Sequence, residues 1–516
     1  MNFLVTSLLL LSFAFVNANY AIGMHQANDA GPLELLIENV EIISPAKNVV
    51  RRFTGYVLLR DNLIAYVGDH PPKVNPNTIR IDGRGKFLIP GLIDSHVHLA
   101  NVAGLNWPLK KKYPDLAAAY YEQVPRSYLY FGYTTLIDPN NYSPKVLNAM
   151  TKQAVHPDII TCGEQLEVLN GFMMAETEPA ERLAEFPHFL FDRHNSKAVL
   201  PGGTTANDHS PAAAVRRIVN AQKGRCVKMA HENGFGGTEE VTWQMPSEAI
   251  VKEVAAESRR SKIPFLLHAS SFESQQFAVD TGVDIIAHGM WHWGPLFEFL
   301  DVSKLPQTHR TLLETIARKH IGYQPTFRVI AGQRDVFDDA FINDPILDMV
   351  YPRPLMDLLR SPAGRWQQDN IRKYGKGFFD NKSNADIVPF MQKMVDKIGA
   401  AAKVIEKNKG DLLFGSDTPS SNAHTNPPGY NGYLEMKEWY TAGLSLKSIF
   451  RAATINNAKA FHLDSSVGTI ANGKTANLLL LRKDPLKDIS AYDSIEMVIL
   501  GGKPLDRKGL SANAKR

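Results

Sequence analysis

Eight short β-prone segments recur through the middle of the chain, at 92–96, 134–138, 158–161, 225–230, 263–268, 284–288, 321–326 and 411–417, with helix-like stretches between several of them. That alternation is the pattern of an α/β protein, and eight repeats is the count that closes a (β/α)8 TIM barrel. The step from the fifth segment to the sixth is the clearest. Ser270 and Glu273 read as a capping box, and Gly282 stands where the helix should stop. Two stretches, 166–223 and 327–409, are too long for simple connections, and the second contains helical pieces such as 387–407. Insertions after barrel strands lie over the active-site face, so both are predicted lids or substrate-binding subdomains.

Both ends of the chain have a different texture. Segments 33–41, 55–60, 63–67 and 86–89, then 476–481 and 495–500, are short, apolar and β-prone, with Gly468, Gly473, Gly501 and Gly502 as punctuation. They predict a small β-sandwich built from 33–90 and 455–510, with the barrel inserted as 91–454. A length of 516 residues suits one large α/β domain plus a smaller partner. With 44% hydrophobic and 21% charged residues, disorder, collagen and coiled coil are excluded for the whole. The 57 Lys and Arg against 53 Asp and Glu leave a net charge of +4, spread along the chain, which gives no reason to expect nucleic acid.

At the N-terminus, Phe3 to Val16 is almost wholly apolar and is followed by Asn17, Ala18 and Asn19. The run falls short of the ~20 residues that span a bilayer. Val16-Asn17-Ala18 fits a small-x-small cleavage site, so 1–18 is read as a secretory signal peptide and the mature protein as periplasmic or secreted. An uncleaved anchor is the alternative. Two cysteines, Cys162 and Cys226, rule out a disulfide scaffold or a cysteine-rich zinc module. Cys226 is read as an inert packed thiol, although a Cys162–Cys226 bridge would suit an exported protein.

The chemistry sits at the ends of the predicted strands. In the segment Ile89-Pro90-Gly91-Leu92-Ile93-Asp94-Ser95-His96-Val97-His98, residues two apart point to the same side of a strand, so His96 and His98 present two imidazoles together. Zinc takes neutral imidazole readily. Four more ligand-type residues, Lys228, His268, His288 and Asp417, lie at or near the C-terminal ends of other strands. In a barrel all six converge on its mouth. Lys228 stands out, because an unpaired ammonium in a buried strand tends to lose its charge. A neutral lysine amine can take up carbon dioxide as a carbamate, a carboxylate-like group able to bridge two cations. Pairing of Lys228 with Glu164 or Glu232 is the alternative.

With these motifs the chain resembles the amidohydrolase superfamily, in its imidazolonepropionase- and prolidase-like branch. The resemblance runs from about Leu33 to Ile489. It includes Asp82-Gly83-Arg84-Gly85-Lys86 before the His96–His98 segment, Gly132-Tyr133-Thr134-Thr135 with Asp138, and the tail from Thr454 through Gly468 to Lys474. Asn477 departs from it, standing where the tail commonly has Asp. The stretch from His231 to Gly237 matches no substrate-pocket pattern. The resemblance implies two divalent metal ions, with zinc the best fit to the donors. His96, His98 and Asp417 would hold one, His268 and His288 the other, and carboxylated Lys228 (N6-carboxylysine) would bridge them.

The implied reaction is hydrolysis of a peptide-like C–N bond. A metal-activated hydroxide attacks, and Asp417 serves as base and then as acid. The expected substrate is a small molecule such as a dipeptide or N-acyl amino acid. Arg328 is a candidate for its carboxylate, and His231 and His292 for its oxygen. An esterase, lactonase or phosphotriesterase on the same metals remains an alternative, as does a non-catalytic metal-binding or substrate-binding protein. Assembly into a homo-oligomer is left open.

Overall fold

The computed structural model describes residues 33–514 except 47–48, 176, 235–240, 295–298, 375–378 and 380. The expected signal peptide at 1–18 lies outside the described residues. Strands β1 (Glu34–Ala46), β2 (Val49–Arg60), β3 (Leu63–Gly68), β4 (Ile79–Asp82) and β5 (Phe87–Pro90) come from the N-terminal part. Further along follow β6 (Leu92–Asp94), β7 (Tyr133–Asp138), β8 (Asp158–Thr161), β9 (Val227–Ala230), β10 (Phe265–His268), β11 (Ile285–Ala287) and β12 (Gly322–Gln324). The last three are β13 (Leu478–Leu481), β14 (Ile495–Leu500) and β15 (Lys503–Asp506).

The two ends of the chain meet in one sheet of order β15-β14-β13-β5-β1-β2-β3, with β4 paired to β1. The seam is the antiparallel pair of β5 and β13, from Leu478 opposite Pro90 to Leu481 opposite Phe87. Leu478–Leu481 is apolar at every position because both faces of the sheet are covered. Leu478 and Leu480 join Leu35, Ile37 and Val57 in one core, whereas Leu479 and Leu481 face the main core with Phe131 and Tyr133. The expected strands from both ends are therefore present, laid out as a single sheet. Asn477, the departure noted in the sequence, ties three elements together. Its amide donates to Asp158 at 2.8 Å and its side-chain oxygen accepts from Gly501 N at 2.8 Å. An aspartate there could not donate to Asp158.

The middle of the chain forms two parallel sheets, β6-β7-β8 and β9-β10-β11-β12. Their edges approach through single hydrogen bonds: Arg225 N to Thr161 O at 2.8 Å, and Leu166 N to Lys228 O at 2.8 Å. The eighth expected strand, 411–417, is not in a regular ladder. It runs between β12 and β6, with Leu413 N bonded to Tyr323 O at 2.9 Å and Ser95 N to Phe414 O at 3.1 Å. Side chains satisfy much of its backbone instead. Asn457 accepts from Phe414 N and donates to Phe414 O, and Asp94 accepts from Ser416 N. Buried backbone groups need partners, and here side chains supply them without a ladder.

Helices Glu248–Arg260, Phe272–Thr281 and Gln307–Arg318 pack outside these strands. Phe272–Thr281 ends at Gly282 as expected, with φ of +73°, which glycine adopts without penalty. Its N-cap is Ser271 rather than Ser270: the Ser271 hydroxyl accepts from Ser274 N. The 327–409 insertion is largely helical and ends in the long helix Asn384–Lys407. Most of 166–223 is irregular up to the helix Pro211–Asn220. Cys162, just after β8, and Cys226, just before β9, form a buried disulfide with Cα atoms 4.3 Å apart. The inert-thiol expectation for Cys226 is thus replaced by a cystine between neighbouring strands. Among the described residues, no helix is long and apolar enough to cross a membrane.

Candidate metal centre

All six strand-end residues arrive in one place. His96 and His98 follow β6, where Val97 bridges to Thr418 and turns the two imidazoles to the same side. His98 Nε2 lies 2.9 Å from Asp417 Oδ1, and His96 Nε2 lies 3.8 Å from it. His288 Nδ1 stands 3.6 Å from Asp417 Oδ2. Lys228 Nζ is 3.5 Å from His96 Nε2. The rings of His268 and His288 are 4.4 Å apart between centroids. His288 and Asp417 both hold left-handed backbone, at φ of +83° and +53°. Such conformations in non-glycine residues cost energy and persist where the surroundings impose them.

The cluster sits on a polar frame. Gln324 Oε1 lies 3.1 Å from His96 Nδ1, while its amide nitrogen donates to Ser95 Oγ at 2.7 Å. Taking the proton of Nδ1 leaves His96 Nε2 as the bare nitrogen toward Asp417. Buried Asp94 accepts from Ser416 N and the Ser416 hydroxyl, and burial pushes its carboxyl up to about 7. Buried Asp138 accepts from the backbone N–H of Asn140 and Leu99, and desolvation raises it to about 6.

The protonation states favour metal binding. Desolvation holds His96 and His288 well below the ordinary imidazole value, in the neutral form that binds metals. Burial lowers Lys228 to about 8. For Asp417 burial alone would raise the carboxyl, but His96, His98 and His288 together hold it well below the usual carboxylate range. The donor atoms of His96, His288 and Asp417 all lie within 4.8 Å of one another. Neutral imidazoles and a carboxylate in such a group fit a zinc-like divalent ion.

The residues expected to hold substrate fare differently. Arg328 is buried at 1% exposure, and its guanidinium is committed. It donates to Asp335 at 2.5 Å, to Asn431 Oδ1 at 2.8 Å and to Thr425 O at 2.6 Å. The chain enters a helix at Arg328–Asp335, so this side chain braces the insertion instead of reaching a substrate carboxylate. His231 turns to the helix after β10, bonding Ser274 Oγ at 2.9 Å and stacking on Phe277. His292 is buried beside Trp291 and feels the charge of Glu232. Neither acid considered for Lys228 pairs with it: Glu164 binds His188 and Arg217, and Glu232 binds His268. Sequence reasoning missed Gln324 as the partner of His96, and Phe172, whose ring lies 5.9 Å from that of His268. The only signal for Gln324 was its place at the end of a strand, and for Phe172 its place within an insertion.

Residues 379–505 match the model of the Amidohydrolase family. Over 67 residues the chain is 39% identical to a dihydroorotase of Syntrophotalea carbinolica (strain DSM 2380 / NBRC 103641 / GraBd1). That match spans 13% of this chain and only 15% of the dihydroorotase. A Xaa-Pro dipeptidase solved with methionine in its active site superposes with a TM-score of 0.61 at 18% identity, covering 92% of this chain and 100% of that one. A. niger ochratoxinase gives a TM-score of 0.62 at 17% identity, covering 94% and 99%. At these identities the likeness is one of fold. The family match over residues 379–505 and this likeness of fold both support the resemblance to the amidohydrolase superfamily.

Proposed function

We propose that the chain is an exported metal-dependent hydrolase that cleaves a peptide-like C–N bond in a small substrate such as a dipeptide or N-acyl amino acid. The observation that carries this reading is the convergence of His96, His98, Lys228, His268, His288 and Asp417. In this reading β6 to β12 and 411–417 form one eight-membered barrel circuit, with 91–454 as the catalytic domain and the sheet of both chain ends as its partner. His96, His98 and Asp417 would hold one divalent ion, and His268 and His288 the second. Lys228 would bridge them as a carbamate, made when its neutral Nζ adds to carbon dioxide with formation of an N–C bond and release of a proton from nitrogen. Ions bound there supply Lewis-acid polarisation of a carbonyl and lower the pKa of water.

The protein's own residues do the rest. Asp417 takes the proton of the attacking water at a carboxylate oxygen and delivers it to the leaving nitrogen, a base that then becomes an acid. Gln324 fixes the His96 tautomer, and Asp94 and Asn457 fix the backbone that carries Asp417. The dipeptidase fold match supports an amide substrate. The Cys162–Cys226 cystine supports export, because disulfides persist in oxidising compartments.

Elemental analysis and a substrate panel test the proposal together. The purified protein should carry about two divalent ions per chain. It should cleave dipeptides or N-acyl amino acids in preference to lactones and phosphotriesters. Full activity without metal would refute the metal assignment. Lactone or phosphotriester turnover orders of magnitude above every amide would move the substrate class and leave the metal centre standing.

A further inference from the structure

Glu232 lies beyond β9, four residues after Lys228, and has no place in the ligand set above. Its Oε2 is 2.7 Å from His268 Nε2 and also accepts from the Ser270 hydroxyl at 3.1 Å. Its other oxygen, Oε1, accepts from Gly234 N at 2.9 Å. Its own carbonyl accepts from the Trp243 indole N–H at 2.7 Å. Both carboxylate oxygens and the backbone are therefore held, and the acid is largely buried, with 13% of its side chain exposed. The neighbouring Asn233 is held in turn by Ser271 and Ser274.

We infer that Glu232 is a positioning residue that sets the tautomer and ring orientation of His268. The inference rests on the metal-centre reading above. A carboxylate only accepts, so the 2.7 Å contact places the proton of His268 on Nε2. The lone pair is then left on Nδ1. The protonated edge is tied to Glu232 and Ser270, and the ring packs at 4.4 Å from that of His288. A histidine that gives its far N–H to a carboxylate is a stronger and better aimed ligand, and loss of such a partner typically weakens metal binding about 10–100-fold. Lys228 and Glu232 thus divide the work on one short segment: the lysine faces His96, and the glutamate holds His268 from the opposite edge.

The test uses the full mature chain with Glu232→Ala and Glu232→Gln. Nitrogen NMR of the metal-free protein reads the His268 tautomer directly, assigned with His268→Asn. Wild type should show the Nε2–H form, Glu232→Ala a mixture, and Glu232→Gln the wild-type form, because the amide oxygen still accepts. Zinc titration against a chromophoric chelator should show one of the two ions bound about 10–100-fold more weakly in Glu232→Ala and within a few-fold of wild type in Glu232→Gln. An unchanged tautomer in Glu232→Ala would overturn the inference. Equal zinc loss in both variants would overturn it too, since the metal would then require the carboxylate itself. Wild-type protein that binds no zinc while its His268 tautomer responds to Glu232 would refute the metal reading and leave the positioning role in place.

Discussion

Replacing Arg328 with methionine should destabilise the fold and leave substrate affinity alone. The guanidinium is 1% exposed and makes three short hydrogen bonds, to Asp335, Asn431 and Thr425 O. Removing one partner of a buried ion pair usually costs about 3–5 kcal/mol, because the other charge is stranded. Here the stranding is partial. Asp335 keeps Arg334 at 2.8 Å, and Asn431 Oδ1 keeps the Asn426 amide at 2.9 Å. Only the Thr425 carbonyl is left without a side-chain donor among the described residues, and methionine retains most of the apolar stem. The cost should therefore fall at the low end, about 3 kcal/mol, or about a hundredfold in the folding equilibrium. Urea unfolding of Arg328→Met, read as a midpoint shift at unchanged slope, measures it. Michaelis constants on the best amide substrate should stay within about twofold, since uniform substrate binding is untouched. A variant as stable as wild type with a greatly raised KM would refute this reasoning and return Arg328 to the substrate.

Four further outcomes are expected. Lys228→Ala should lose most activity and much of the metal, with partial rescue by short carboxylic acids at high concentration; metal analysis and turnover with and without acetate or propionate check it. Asp417→Asn should abolish turnover, because an amide cannot shuttle the proton, and single-turnover assays would expose any residual chemistry. Hydrogen bonds from Thr78, Asn75 and Arg60 lower Glu34 from 4.5 to about 2. Its stabilisation is therefore present above pH ~4.5 and lost as pH falls toward about 2, so the gap in urea midpoint between wild type and Glu34→Gln should shrink over that range. N-terminal sequencing of the native protein should find Asn19 or a near neighbour first, and non-reducing peptide mapping should recover a Cys162–Cys226 linked pair.

The convergence of the six side chains was legible because each lies at or near the end of a recognisable apolar run, and strand ends in an α/β protein share one face whatever the connections do. Six residues from five separate segments could be gathered without knowing a single helix angle. The eighth strand was legible in position but not in form. Its backbone is satisfied by Asn457 and Asp94, side chains distant in sequence, so a run that reads as β needs no ladder. The layout of the terminal strands was hidden for a related reason. An apolar run such as Leu478–Leu481 signals burial on both faces, but not which layer covers each one; here Leu479 and Leu481 join the main core with Phe131 and Tyr133. The partners of Arg328 were hidden because Asn431 and Thr425 lie about a hundred positions away.

The buried ionisable groups around the cluster divide into two kinds, and the division accounts for how it can be built before any ion arrives. Asp94, Asp138 and Glu435 accept from backbone N–H groups of neighbouring loops: Ser416 and His96, Leu99 and Asn140, Phe327 and Arg328. Burial raises all three, Glu435 to about 8, so near neutrality they can carry a proton and avoid the full penalty of an interior charge. They act as pegs that satisfy strand-end backbone. Asp417 is the opposite case: a buried carboxyl held well below the usual carboxylate range, with His96, His98 and His288 each within 4 Å of it. That negative charge, with histidine side chains around it, is what a cation would meet on entering. The pegs hold the loops, and the electrostatic attraction is left to Asp417.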